Sequence, residues 1–257
     1  MIRLSANLGF LWPDLPLLER IAAAGRAGFR AVELHWPYDT PAADVADACR
    51  SAKVALLGIN TVPGDTARGD FGLGAVPGRE TEFEAAAIQA IDYCAAAGGT
   101  AVHAMAGVAD RTEGSRRVFV ANLRRAAARA AEHGLDILIE PINGNDKAGY
   151  FLHRIGQAAD IVAATGAPNV RIMFDVYHVS REEGDALALL RDHLALVGHV
   201  QIAAVPSRAE PDHGDVDYAA VLPEIGRMGY AGWIGCEYRP REGTDAGLGW
   251  ARPYLSR

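Results

Sequence analysis

The chain has 257 residues, half of them hydrophobic and 22% charged, with a formal net charge of −7. That is enough apolar chain for one large core, which excludes a disordered polymer and a small disulfide-stapled scaffold, and the acidic balance makes a phosphate backbone a poor partner. Cys49, Cys94 and Cys236 form no Cys-x-x-Cys pair, no 18-residue apolar run offers a membrane span, and the first ten residues lack the basic-then-apolar pattern of a leader, so a cytoplasmic protein without membrane or nucleic-acid partners is expected and association into a homo-oligomer is left open.

Taken in order, the elements repeat one unit: a short apolar strand ending in a polar residue, a loop, an Ala-rich helix, a glycine. Strand Arg3–Asn7 precedes a helix over 14–26, and Ala31–Leu34 precedes one over 41–52. Ala55–Thr61 leads into a Gly- and Pro-rich stretch, 62–79, and then a helix over 80–97. Ala101–Ala104 is followed by 115–133, where Val118, Val120, Leu123, Ala126, Ala127 and Ala130 recur at helical spacing. The remaining pairs are Asp136–Glu140 with 153–165, Val170–Asp175 with 181–194, Val197–Ile202 with 217–227, and Trp233–Glu237 with 244–252. Gly28, Gly98, Gly134, Gly166 and Gly229 stand where helices end, the place for a left-handed residue.

Eight such units mean a closed parallel barrel or a doubly wound open sheet. No Gly-x-Gly-x-x-Gly follows the first strand and no linker divides the chain, so the expectation is a single-domain (β/α)8 TIM barrel over residues 1–257. The 62–79 stretch is too long for a plain connection and reads as a lid or binding loop.

A parallel barrel carries its active site at the C-terminal strand ends. Those ends are Asn7, Glu33, Asn60, His103, Glu140, Asp175, Gln201 and Glu237, all polar. Several carboxylates converging on one mouth would repel one another unless a cation lay among them. Glu140, Asp175, Gln201 and Glu237 come from consecutive strands and offer oxygen only, which favours Mg2+ or Mn2+ over Zn2+. The two glutamates also suit proton transfer at a carbon held between them.

The segments SANLGFLW, GFRAVELHWPYD, LIEPIN, FDVYH, GHVQIA with its downstream Pro-x-Arg-x-Glu-Pro, and YAGWIGCEYRP followed by AGLGW span about residues 3–254. In these the chain resembles the hydroxypyruvate isomerases, within the xylose isomerase-like barrels. The resemblance implies Glu140, Asp175, Gln201 and Glu237 as metal ligands, Glu140 and Glu237 as the catalytic pair, and His178 and Arg208 as substrate contacts. It also implies a small hydroxy-carbonyl acid as substrate, hydroxypyruvate becoming tartronate semialdehyde through an enediolate, with the carboxylate in the fork of Arg208. An isomerase of the longer 2-oxo-tetronate would share the same metal set. A ketose 3-epimerase is disfavoured by Gln201, which stands where those enzymes carry histidine. A DNA-repair endonuclease is disfavoured by scattered histidines and negative charge.

Other residues have plainer readings. Glu33 and His35 share one strand face and line the pocket or form a buried pair. His103 reads as a strand cap in preference to a substrate contact, Asn7 and Asn60 as supporting donors or turn residues, and Asp146 as a surface-loop acid in preference to the acidic substrate contact of related epimerases. Arg239 and Arg241 rival Arg208. Cys236 faces away from Glu237 and reads as packing, as do Trp12, Trp36 and Trp233, unless these tryptophans wall the pocket.

Overall fold

The computed structural model describes residues 2–255. Strands β1 (Leu4–Asn7), β2 (Ala31–Glu33), β3 (Ala55–Asn60), β4 (Ala101–His103), β5 (Asp136–Ile139), β6 (Val170–Asp175), β7 (Val197–Ile202) and β8 (Ile234–Cys236) pair in parallel in chain order. The sheet closes on itself where Leu4, Ser5 and Ala6 pair with Ile234, Gly235 and Cys236. A strand in such a barrel is covered on both faces, so it is legible as a short apolar run, and all eight lie within a residue of the ranges expected from sequence.

Helices α1 (Leu17–Ala27), α2 (Ala42–Ala52), α3 (Glu80–Ala96), α4 (Glu113–Ala131) and α5 (Ile155–Thr165) pack outside the barrel, their buried side chains joining one hydrophobic cluster with the strands. The five helix-ending glycines all have positive φ; at Gly28, with φ 100°, the amide returns to Gly25 O at 3.2 Å and closes α1.

Between β6 and β7 the expectation of a single helix over 181–194 is corrected. The chain passes directly from β6 into α6 (Val176–Glu182), breaks at Gly184, and resumes as α7 (Ala186–His193). Asp175 is the cause: as N-cap it accepts from Tyr177 N at 2.8 Å and starts a helix where the strand stops. Helix α8 (Tyr218–Arg227) follows β7, and α9 (Thr244–Gly247) continues as a 3-10 turn, Leu248–Tyr254.

The 62–79 segment contains one 3-10 turn, Thr66–Arg68, and is stitched to the loop after β4. Gly74 N donates to Met105 O at 3.0 Å, Ala75 N to Ala106 O at 2.6 Å, and Leu73 and Ala75 are buried. Of the two expectations, lid or binding loop, the placement matches the second: the segment forms a wall of the mouth and presents Phe71 to the cavity.

Candidate active site

The C-terminal strand ends surround a cavity of about 700 Å3. Asp175 spends one oxygen on capping α6, which leaves Oδ2 facing inward. His178, one helical turn on, is carried to the same face, with Nε2 3.6 Å from Asp175 Oδ2 and 3.8 Å from Glu140 Oε1. Single ligand atoms of Glu140, Asp175 and His178 all lie within 4.8 Å of one another. The amide of Asn143 donates to His178 Nδ1 at 2.7 Å, and its orientation is fixed because Oδ1 accepts from Asn145 N and Asp146 N at 3.0 Å. With Nδ1 accepting, the imidazole proton sits on Nε2, so His178 turns a donor toward the carboxylates.

Gln201 lies beside Asp175 in register, one strand over. Its Nε2 donates to Glu33 Oε2 at 2.9 Å, which fixes the amide and turns Oε1 away from Glu33. Glu33 is itself held by Ser5 Oγ at 2.5 Å and faces His199 Nε2 at 3.1 Å. Gly235 on β8 makes room for this group, since a Cβ there would stand 2.4 Å from Glu33 Oε1 and 2.9 Å from Gln201 Cγ. Gln201 lines a smaller cavity of about 160 Å3 in the barrel lumen below the mouth.

Glu237 is engaged through both carboxylate oxygens. Oε1 accepts from Asn7 Nδ2 at 3.1 Å and lies 3.2 Å from His35 Nε2, and Oε2 accepts from Arg208 Nη2 at 3.0 Å. Arg208 also donates to Asp146 Oδ2 at 3.1 Å and lies between the rings of Phe10 and Tyr177, at 5.0 and 5.1 Å. Its backbone φ of 55° is costly for a residue with a Cβ, and the backbone is held by Arg208 N to Ala204 O at 2.7 Å and Arg239 N to Arg208 O at 2.8 Å.

A sequence profile of xylose isomerase-like TIM barrels matches residues 21–254. The 2-oxo-tetronate isomerase of Cupriavidus necator is 43% identical over all of both chains. The hydroxypyruvate isomerase of Escherichia coli is 36% identical over 99% of this chain and 100% of its own length. The chain belongs to the hydroxypyruvate isomerase family of xylose isomerase-like TIM barrels. Like those relatives it is an isomerase. A crystal structure described as an AP endonuclease, family 2, from Brucella melitensis superposes over both full chains with a TM-score of 0.96 at 37% identity. A D-psicose 3-epimerase from Clostridium cellulolyticum, 15% identical with a TM-score of 0.81, shares the fold.

In this family member the carboxyls are driven apart electrostatically. Burial, then the charges of Glu237 and Asp175, pushes Glu140 well above the ordinary carboxylate range. Burial and Glu237 push Asp175 up to about 8, against the pull of Arg208. Burial also acts on Glu237, but the hydrogen bond from His35 and the charge of Arg208 outweigh it and hold this group at about 2. Burial lowers His103 to about 4, and burial with Arg208 holds His178 well below its usual value.

Glu140 Oε1, Asp175 Oδ2 and Gln201 Oε1 are buried acceptors with no hydrogen-bond partner among the described residues. Each such atom costs on the order of 1–3 kcal/mol unless something supplies positive charge. This donor set fits a hard divalent cation; Glu237, on the adjacent strand, would have to share an oxygen now accepting from Arg208.

Several residues do more than their sequence context suggests. Asp146, expected as a surface acid, accepts from Tyr177 OH at 2.9 Å and pairs with Arg208. Glu33 and His35 share a strand face but do not pair: Glu33 lies a layer below, with Gln201, and His35 reaches Glu237. His103 is more than a cap, with Nδ1 3.7 Å from Glu140 Oε2 and a place in the cavity wall. Arg241 is committed to Glu210 and Asp212, away from the mouth. Trp36 lines the mouth, whereas Trp12 is core and Trp233 lines the lumen.

Proposed function

We propose that the protein isomerises a short 2-oxo-3-hydroxy acid, hydroxypyruvate to tartronate semialdehyde, with a bound Mg2+ or Mn2+. The observation that carries this reading is the set of three unpartnered oxygens of Glu140, Asp175 and Gln201 beside Glu237, in a member of an isomerase family. The cation, held by these four residues, would bind adjacent carbonyl and hydroxyl oxygens and stabilise the negative charge that develops on them. Oxygen donors predominate and His178 presents N–H rather than a lone pair, which is why Mg2+ or Mn2+ is favoured over Zn2+.

Glu237, kept ionised by His35 and Arg208, is the group equipped to take the proton from C3 of the substrate. The electron pair then forms the C2–C3 double bond of an enediolate. Return of a proton to C2, with passage of the proton on the C3 oxygen to the C2 oxygen, leaves an aldehyde at C3 and a hydroxyl at C2. Glu140, which lines the same cavity from β5, is placed for the return. His178 Nε2–H and Arg208 contact the substrate oxygens at the reacting end.

The cavity size supports a second substrate. About 700 Å3 is in the range that accommodates drug-sized ligands and leaves space beyond three carbons. The four-carbon 2-oxo-tetronate undergoes the same shift of carbonyl and proton. Assaying both acids with Mg2+ or Mn2+ is the test: turnover of at least one, abolished by chelation and restored by the cation, is expected. Turnover of neither would overturn the reading. DNA is disfavoured as a substrate by the net charge of −7 and the acid-lined mouth. Cytoplasmic location and a single-domain extent over residues 1–257 belong to the same proposal.

A further inference from the structure

The proposed substrate carries a carboxylate as well as the hydroxy-carbonyl end, and the anchor assigned to it here rests on that substrate class. Three basic side chains line the mouth: Lys147, Arg208 and Arg239. Arg208, expected from sequence to fork the carboxylate, is already committed. It donates to Asp146 and Glu237 and lies 4.0 Å from Asp175 Oδ2, so an incoming carboxylate would compete with three resident ones. Arg239 is exposed to water on the rim.

Lys147 differs from both. It is half-buried, its Nζ lies 4.9 Å from the centroid of the Phe71 ring, and no carboxylate lies within 4 Å of that nitrogen among the described residues. The ring face offers a partly desolvated cation on the order of 1 kcal/mol, less than a charge-assisted hydrogen bond to an anion provides. Both sides of this contact are held in place. Lys147 N donates to Asn143 O at 3.2 Å and Tyr150 N to Lys147 O at 3.2 Å, so the buried Asn143 that orients His178 also sets the lysine. Phe71 comes from the segment stitched to the loop after β4. The neighbouring Asp146 turns toward Arg208, leaving the ammonium facing the cavity without its nearest acid.

We propose that Lys147, backed by Phe71, receives the carboxylate of the substrate, and that Arg208 serves the reacting end. The carboxylate is thereby anchored on the β3–β5 side of the mouth while the hydroxy-carbonyl end reaches the acids of β5–β8.

The test compares wild type, Lys147→Met and Lys147→Arg. Calorimetry with D-glycerate, which carries the carboxylate and cannot isomerise, should show binding weakened at least tenfold in Lys147→Met and largely recovered in Lys147→Arg, while Mn2+ affinity is unchanged in both. With a substrate acid, KM should rise by a similar factor and kcat should stay within about threefold. Equal glycerate affinity in wild type and Lys147→Met, no glycerate binding to wild type, or loss in both variants alike would overturn the assignment. Because glycerate binding requires no turnover, it separates failure here from failure of the isomerase reading, which would show as an inert wild type.

Discussion

The two halves of the barrel mouth are built from the same repeating unit and do different work. Strands β5 to β8 contribute Glu140, Asp175, Gln201 and Glu237, a concentration of buried oxygen in which the first three each keep one acceptor without a partner among the described residues. Strands β1 to β4 end in Asn7, Glu33, Asn60 and His103; Glu33 is drawn below the mouth to Gln201, and the loops beyond the strands add His35 and the rings of Phe10, Trp36 and Phe71. At the mouth itself one half carries the carboxylates, and the other supplies hydrogen-bond donors and aromatic walls that set where that charge resides. Substitutions should therefore act on the chemistry in the second half of the chain and on its tuning in the first.

The largest effect is expected at Glu237. Glu237→Gln keeps the shape and the acceptor for Arg208 but removes the proton acceptor, so kcat should fall by roughly 10^3, within the range a positioned base contributes. Circular dichroism should be unchanged, since the residue sits at a strand end in an otherwise complete core. A variant retaining more than a tenth of wild-type kcat would assign the proton to another group and dissolve the contrast between the halves.

That contrast also explains what the sequence made legible. The eight strands were visible because parallel strands covered on both faces are apolar runs, punctuated here by helix-ending glycines. The acids of β5 to β8 were visible because a charge closing an apolar run needs a reason to be there. Helix α6 was not, because Asp175 acts both as a strand end and as an N-cap, and only the backbone shows the second role. Asp146 and Lys147 sit on a loop without periodicity, so nothing in their spacing says that one turns to Arg208 and the other to Phe71. Alternation placed Glu33 and His35 on one face, but it does not encode depth in the barrel, which is what sends Glu33 to Gln201 and His35 to Glu237.

An intermediate effect is expected on the stability of the cation-free protein. Asp175, near 8 when folded and about 3.9 when unfolded, holds a proton that the unfolded chain has lost between those values, so stability falls as pH rises across them. His103, near 4 when folded against about 6.5 unfolded, acts in the opposite direction below about pH 6.5, and Glu237, near 2, adds stability only up to its unfolded value of about 4.3. The net decline should therefore lie between about pH 6.5 and 8, worth about 2 kcal/mol from Asp175, or roughly 4–8 °C in Tm for a chain of this size. Mn2+ at about a hundred times its Kd should add about 2.7 kcal/mol and offset the loss at pH 8. A cation-free Tm that is flat or rising over that window, and indifferent to Mn2+, would mean the acids of β5 to β8 do not confront one another as described.

The smallest effect belongs to the tuning half. Asn7 Nδ2 donates to Glu237 Oε1 while its Oδ1 accepts from Gly9 N at 3.0 Å, so Asn7→Ala removes one of three donors from the carboxylate. A hydrogen bond to a charged group contributes about 1.5–3 kcal/mol, but His35 and Arg208 remain and share the load. The expected loss in kcat is tenfold or less. A donor to the ionised form also keeps the proton affinity low, so its removal should move the acidic limb of the kcat/KM profile to higher pH. That shift is the informative readout, because a merely loosened loop would lower the rate without moving the limb. A rate loss comparable to that of Glu237→Gln would place Asn7 among the groups that touch substrate, and the division between a chemical half and a tuning half would have to be redrawn through β1.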